Sequence, residues 1–453
     1  MPRLPFPARA ARLRRAARGL AVASGAALLL LSGAALTASG AGAQTDYGSV
    51  YSRFALGERF DLSTSQADAM GVNGVAIRAG LYNGLSNPAH AADQTLTTLS
   101  ASALVRGVRA TDATDATSDA TAADLGLVQL GVPLSPGRVG LTLAYRPYTR
   151  VDYRAAEEGE VPVDGTEPTR FRANLEGSGG LQKISAGLGV RVGSALTVGA
   201  SGEAILGTVE YLQRTEFPDV GDAFFQTRES ETTKLWGFTG SLGAAVSTRR
   251  LLGEADALTF AASVTLPTTL RGSRSTTLGT SLDRDTLSTQ DSGEARLPLT
   301  ARTGLAYRTG PKLLLAADAV YEPWGDFSSD FRFGGYDPAS GESALRDRLR
   351  VGGGLEWTPA GVQRGAGYFR RVAYRLGGYT ETGLAAPEAQ GVRTYALTGG
   401  LSLPTRLAGS RVDLGFEVGT RGEASGVLVR DTFWRGTLTF NFGERWFVRR
   451  RLG

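Results

Sequence analysis

Val412-Asp413-Leu414-Gly415-Phe416-Glu417-Val418-Gly419-Thr420-Arg421 sets every large apolar side chain on one parity and every charge on the other. A strand has a side-chain period of two, so this segment has one greasy face and one charged face. The last such segment repeats the pattern: Trp434, Gly436, Leu438, Phe440 and Phe442 alternate with Arg435, Thr437, Thr439 and Asn441. Segments of this kind recur along most of the chain. That is the pattern of a transmembrane β-barrel with lipid outside and water inside.

Composition narrows the classes further. Residues 1–43 read as a secretory signal: six arginines from Arg3 to Arg18, an apolar run through Leu28-Leu29-Leu30-Leu31, and Ala41-Gly42-Ala43 as a cleavage site. The formal charge of +5 includes those six, so the mature chain carries 49 − 6 = 43 basic against 44 acidic residues. With Lys183, Lys234 and Lys312 the only lysines, nucleic acid is not an expected partner. The chain has no cysteine, which excludes disulfides and thiol chemistry. No later stretch reaches 18 consecutive apolar residues, the length of a helical span.

From Thr95 onward the alternation predicts fourteen strands, at 95–107, 124–134, 138–151, 169–192, 196–212, 229–248, 257–271, 294–308, 313–324, 346–357, 368–382, 391–403, 411–419 and 430–447. Tight turns such as Ser135-Pro136-Gly137, Gly193-Ser194-Ala195 and Thr309-Gly310-Pro311-Lys312 alternate with polar loops at 108–123, 152–168, 213–228, 272–293 and 325–345. Residues 109–122 read as a solvated loop. A soluble β-sandwich or propeller would share the period. The leader, the turn–loop alternation and aromatics near strand ends (Tyr145, Tyr307, Tyr321, Trp324, Trp357, Trp434 and Trp446) favour a membrane barrel with interfacial girdles. The expected architecture is all-β: a 14-stranded antiparallel transmembrane barrel over 95–447, with a basic periplasmic tail at 448–453.

A fourteen-stranded lumen leaks unless it is filled. Residues 44–94 lack the two-residue period and are long enough to serve as an N-terminal hatch inside the barrel. Ala69-Met70-Gly71-Val72-Asn73-Gly74-Val75-Ala76 and Asn83-Gly84-Leu85-Ser86-Asn87-Pro88-Ala89 resemble the hatch of FadL-type outer-membrane transporters, where an Asn-Pro-Ala motif precedes the first strand. The run from Gly304-Leu305-Ala306-Tyr307-Arg308 to Tyr321-Glu322-Pro323-Trp324 is similar to a recurrent hairpin of that family. Gly177-Ser178-Gly179-Gly180-Leu181, Val418-Gly419-Thr420-Arg421-Gly422 and Glu444-Arg445-Trp446-Phe447-Val448-Arg449-Arg450 resemble its Bacteroidota-type branch.

The resemblance implies passive uptake of hydrophobic small molecules, of the long-chain fatty acid or aromatic hydrocarbon class. It implies a monomeric barrel held in outer-membrane lipid and lipopolysaccharide. A shuttle or interaction role in type IX protein secretion, with a secretion-system partner, is the alternative. Strand 3 carries the lateral opening in the family, which makes Pro147 the candidate gate; a proline lacks the amide donor that a ladder needs. Pro267 and Pro298 are similar interruptions, and Pro147 beyond the membrane would cost little. Asn87, Pro88 and Ala89 form the hatch motif, where Asn87 capping a turn and Pro88 fixing φ is the simplest role. Lumen-parity charges (Arg191, Glu203, Arg302, Asp318, Arg350, Arg375, Glu417, Arg435) either pair with one another or bind a carboxylate, with mutual pairing the default. His90 is the only histidine and no spacing singles out an acid–base pair, so no catalytic residue, metal site or cofactor is expected.

Overall fold

The computed structural model describes residues 48–161, 168–218, 226–251, 253–280, 287–363, 365–383, 391–407, 409–426 and 428–445. The expected signal, Trp446 and the basic tail lie outside the described residues. Fourteen antiparallel strands close into one barrel. They are β1 (Thr97–Thr111), β2 (Thr117–Ser135), β3 (Val139–Pro147 and Tyr153–Val161), β4 (Thr169–Val192), β5 (Leu196–Glu216), β6 (Thr227–Arg249) and β7 (Asp256–Thr265 and Thr268–Thr280). The ring continues through β8 (Leu287–Leu297 and Thr300–Thr309), β9 (Leu313–Glu322), β10 (Arg348–Trp357), β11 (Ala373–Thr382), β12 (Arg393–Pro404), β13 (Arg411–Arg421) and β14 (Arg430–Glu444). Closure is made by β1 against β14, from Thr97↔Glu444 to Thr111↔Arg430.

The alternation maps onto the wall as its chemistry requires. Leu414, Phe416 and Val418 of β13 are exposed on the outside, while Asp413 and Glu417 are buried inside. Shifting β13 by one residue would drive those charges into hydrocarbon. Register is therefore fixed by the large cost of a charge on the lipid face. Trp357, Trp434 and Tyr321 stand exposed at the rims, as girdle residues do. Trp324 corrects that expectation: it is 1 % exposed, turned inward, with its indole N–H donated to Glu322 at 3.1 Å.

Two further expectations change. The stretches 109–122 and 272–293, read as loops, are for the most part ladder: β1 and β2 pair as far as Thr111↔Thr117, and β7 pairs β8 as far as Leu278↔Leu287. Above the membrane both faces of a strand meet water. The hydrophobic period disappears there while backbone pairing persists. The loop at 325–345 is irregular, but it folds into the barrel mouth, where Phe327, Phe331 and Phe333 are buried. They pack edge-on, Phe327 to Phe333 at 6.2 Å and Phe331 to Phe333 at 6.5 Å between ring centroids. Around them lie Leu181, Ile205, Leu235 and Leu270 of the wall and Tyr51, Phe54 and Leu56 from the segment preceding β1.

That segment, residues 48–94, bonds to inward-facing groups of strands around the ring. A second buried cluster joins its Met70, Val72, Val75 and Ile77 to Ala245, Ala261, Ala306 and Leu314 of the wall.

Candidate functional site

Three capping side chains give the inner segment its local form. Ser49 caps a short 3-10 turn (Val50–Arg53), Thr64 caps a helix (Ser65–Ala69), and Asn87 caps the 3-10 turn Pro88–Asp93. Proline at the first helical position suits that last turn, because its missing N–H would have been unpaired anyway. Asn87 Oδ1 accepts from Ala89 N at 3.0 Å, and Asn87 Nδ2 donates to the carbonyls of Val75 at 3.3 Å and Ala244 at 3.1 Å. The Asn-Pro-Ala turn is thus a cap that also ties the segment to β6.

The wall makes room for the segment with glycine. A Cβ on Gly199 would sit 2.4 Å from the Pro88 carbonyl carbon, and one on Gly243 would sit 2.1 Å from Asn87 Oδ1. Higher up, a Cβ on Gly377 would lie 2.0 Å from the Met70 carbonyl oxygen. Backbone approaches side-chain-free backbone at both places.

Charges make the remaining contacts. Arg59 reaches Glu322 at 2.7 Å; Arg348 reaches Glu322 at 3.1 Å and Glu381 at 2.7 Å, and also binds Asp61. Arg375 bridges Glu356 at 2.8 Å and Asp413 at 3.2 Å, and the same two acids accept from Gln66 and Ser65 of the inner segment. The other lumen charges are engaged likewise. Arg191 pairs with Asp93 at 2.6 Å, Glu203 with Lys183 at 2.6 Å, and Glu417 with Arg435. Arg302 donates to Thr265 at 3.0 Å, Asp318 accepts from Gly74 N at 2.8 Å, and Arg350 pairs with Asp61 at 3.4 Å.

Within the segment two aspartates behave oppositely. Burial alone would raise Asp61, but Arg348, Arg350 and Arg59 hold its carboxyl well below the usual range. Asp68 is pushed up to about 7, with burial outweighing Arg435 and the hydrogen bond from Ser63 N.

His90 Nε2 lies 2.7 Å from the Val75 carbonyl, which only accepts, so Nε2 carries the proton. It ties the turn down. Among the described residues no group of histidine and carboxylates is arranged to hold a metal.

Pro147 stands where the wall changes course. The turn end of the barrel holds the tight connections and the loop end the long ones. Running toward the loop end, the last backbone pair between β2 and β3 is Val128↔Tyr145. Pro147 still faces Gln182 of β4, after which residues 148–152 bend into the lumen. There Thr149 and Arg150 pair with Arg59 and Glu58, and Phe60 N donates to the Tyr148 carbonyl at 3.0 Å. Gly180, at φ +138°, admits the bend: a Cβ there would meet the Thr149 carbonyl oxygen at 2.3 Å. From Tyr153 the strand rejoins β4. Among the described residues no backbone hydrogen bond joins β2 beyond Val128 to β3 beyond Tyr145. The sequence points to Pro147 but not to the partners of the bend, Arg59 and Glu58, because aperiodic segments carry no register signal.

Fold and interior together define a closed, fourteen-stranded barrel of the bacterial outer membrane, with its lumen occupied by its own chain. The chain belongs to the BamG family, whose profile matches residues 28–453. Among curated proteins, none is matched by the sequence. Solved structures share the fold. The Ralstonia pickettii toluene transporter TbuX superposes with a TM-score of 0.55 at 15 % identity, over 86 % of this chain and 99 % of that one. The Pseudomonas putida toluene transporter TodX gives 0.53 at 14 %, over 86 % and 100 %. A Pseudomonas aeruginosa FadL homologue gives 0.51 at 12 %, over 85 % and 99 %. The chain therefore has the architecture of FadL-like barrels.

Proposed function

We propose that this protein is an outer-membrane channel for hydrophobic small molecules, of the aromatic hydrocarbon or long-chain fatty acid class. The inner segment acts as its hatch and the bend after Pro147 as its lateral exit. One observation carries the reading: β3 leaves the wall at residues 148–152, and β2 beyond Val128 has no backbone partner on that side. An apolar solute leaving there enters hydrocarbon without crossing water. The outer face at this level is apolar, since Val105 and Leu125 are both exposed. The fold shared with two toluene transporters and a FadL homologue agrees with it.

The test is uptake of a fluorescent fatty acid and of radiolabelled toluene by liposomes containing the purified protein. Saturable uptake above that of empty liposomes supports the reading. Uptake equal to that of empty liposomes for both solutes overturns it.

A second reading, an interaction or shuttle protein such as one serving type IX secretion, is favoured by a different observation. The strands β4, β5 and β6 run for 24, 21 and 23 residues. A membrane needs only about 9–11 residues per strand, so a polar ladder stands well clear of the bilayer. Co-purification with a secretion channel or its cargo, lost when the outer parts of β4–β6 are trimmed, would favour this reading over transport.

A further inference from the structure

Where β2 and β3 part, side chains replace the missing backbone bonds. Arg106 of β1 and Asp124 of β2 face inward at 3.3 Å from each other. Arg150 and Asp152 come from the bend in β3, also at 3.3 Å. The two pairs are cross-linked: Arg106 reaches Asp152 at 2.5 Å, and Arg150 binds Asp124. Two guanidiniums and two carboxylates thus form a closed square across the seam, each acid held by both bases. Asp124 and Asp152 keep 18 % and 11 % of their side-chain surface exposed, so the square is shielded without being sealed. Gly48 lies against it, its N–H donated to the Asp152 carbonyl at 2.9 Å. Beyond it, toward the loop end, opens a cleft of about 200 Å³ whose lining mixes Val50, Val108 and Val429 with Asp112, Ser118 and Arg154. The square therefore lies between this mouth-facing cleft and the part of the unpaired seam next to Val128.

We propose that Arg106, Asp124, Arg150 and Asp152 form an ionic latch. It holds the β2–β3 seam shut and sets how often a solute in the cleft escapes sideways. A backbone ladder zips over many residues and resists opening. A square of ion pairs opens in one step and is weakened by salt, because mobile ions screen partly exposed charges. The latch rests on the transport reading for its purpose, but its existence can be tested without transport.

The chain has no cysteine, so spin labels can be placed at will. Labels at Thr121→Cys on β2 and Ala156→Cys on β3, in the full chain reconstituted in nanodiscs, report the width of the seam by pulsed electron resonance. The wild-type background should give one narrow distance. Asp124→Asn and Asp152→Asn should each add a longer population, as should molar salt on the wild type, while Arg150→Lys should keep the narrow one. Heat-modifiable migration on gels confirms that each variant is a folded barrel. An unchanged distance distribution in folded Asp124→Asn and Asp152→Asn overturns the latch. The same variants are then assayed for fluorescent fatty-acid uptake into liposomes. A wider seam with several-fold faster uptake supports latch and exit together. A wider seam with no uptake by any form keeps the latch and overturns transport. Uptake by every form at one rate, with the seam unchanged, overturns the latch and leaves transport standing.

Discussion

Asn87 shows how much one side chain can carry. Its oxygen caps a turn and its amide nitrogen answers carbonyls of Val75 and Ala244, all with the residue fully buried. Losing a cap costs about 1 kcal/mol, and leaving buried carbonyls unanswered costs about 1–3 kcal/mol more. Asn87→Ala should therefore weaken docking of the inner segment by about 2–4 kcal/mol while the barrel stays folded. Amide exchange across residues 75–94, read by mass spectrometry, should rise sharply while exchange in β9–β13 stays unchanged.

Arg348 is the second such residue, being 1 % exposed and bound to Asp61, Glu322 and Glu381. Removing one partner of a buried ion network costs about 3–5 kcal/mol, because the remaining charges lose compensation. Arg348→Met should lower the urea midpoint of the segment's release accordingly, measured by protease sensitivity. Arg348→Lys should recover only part of the loss, since a lysine has no planar fork to satisfy several acids. Neither residue's full role was legible in the sequence. Asn87 could be read as a cap from Asn-Pro-Ala, but its bonds to carbonyls of other elements depend on register. Arg348 fell within the expected tenth strand, and Asp61 sits in an aperiodic stretch where nothing announces a partner.

At the scale of elements, legibility followed solvent. The alternation predicts β4 at its observed bounds, because Ile184, Ala186, Leu188 and Val190 keep one face apolar across the membrane part. The outer parts of β1, β2, β3, β7 and β8 look like loops in the sequence, since a strand wetted on both faces has no amphipathic period. The place of Trp324 after a strand predicts a girdle position, and the loop that follows carries it inward instead.

The helix at Ser65–Ala69 offers a test of its own. Burial disfavours the charge of Asp68 in the docked segment and pushes its carboxyl up to about 7, above the ordinary aspartate value of 3.8. A raised carboxyl pKa means the docked state holds its proton more tightly than the released state. Docking is thus strongest below the ordinary aspartate range and weakens as pH rises through about 7. Exchange of the amides in 65–75, corrected for intrinsic rate, should increase between pH 5 and pH 8. Asp68→Asn stays neutral and can still accept from Ser63 N, as Asp68 does at 3.2 Å, so its profile should be flat. An equal slope in the variant would assign the effect to another group.

For the whole molecule the question is whether barrel and inner segment are one cooperative unit or a wall with a removable stopper. The wall has its own ladder, closed by β1 against β14 and interrupted at the β2–β3 seam, and among the described residues its strand pairing involves the inner segment only at the bend in β3. The segment, by contrast, has little ladder of its own and is held by caps, ion pairs and close approach to wall glycines. Its removal should therefore leave a barrel that inserts and migrates as folded. It should not leave a wide hole. Phe327, Phe331 and Phe333 enter from the other side on the loop after β9, and they lose Tyr51, Phe54 and Leu56 as packing partners when the segment goes. Deleting 48–94 should thus give planar-bilayer currents that flicker, as an unsupported loop moves in a charged lumen, whereas the intact protein stays silent. Deleting 327–345 as well should turn the flicker into a steady, larger conductance. Steady full conductance from the first deletion alone would mean the loop gives no obstruction. Silence from both deletions would mean that the wall collapses on itself, and that the segment is part of the barrel's core.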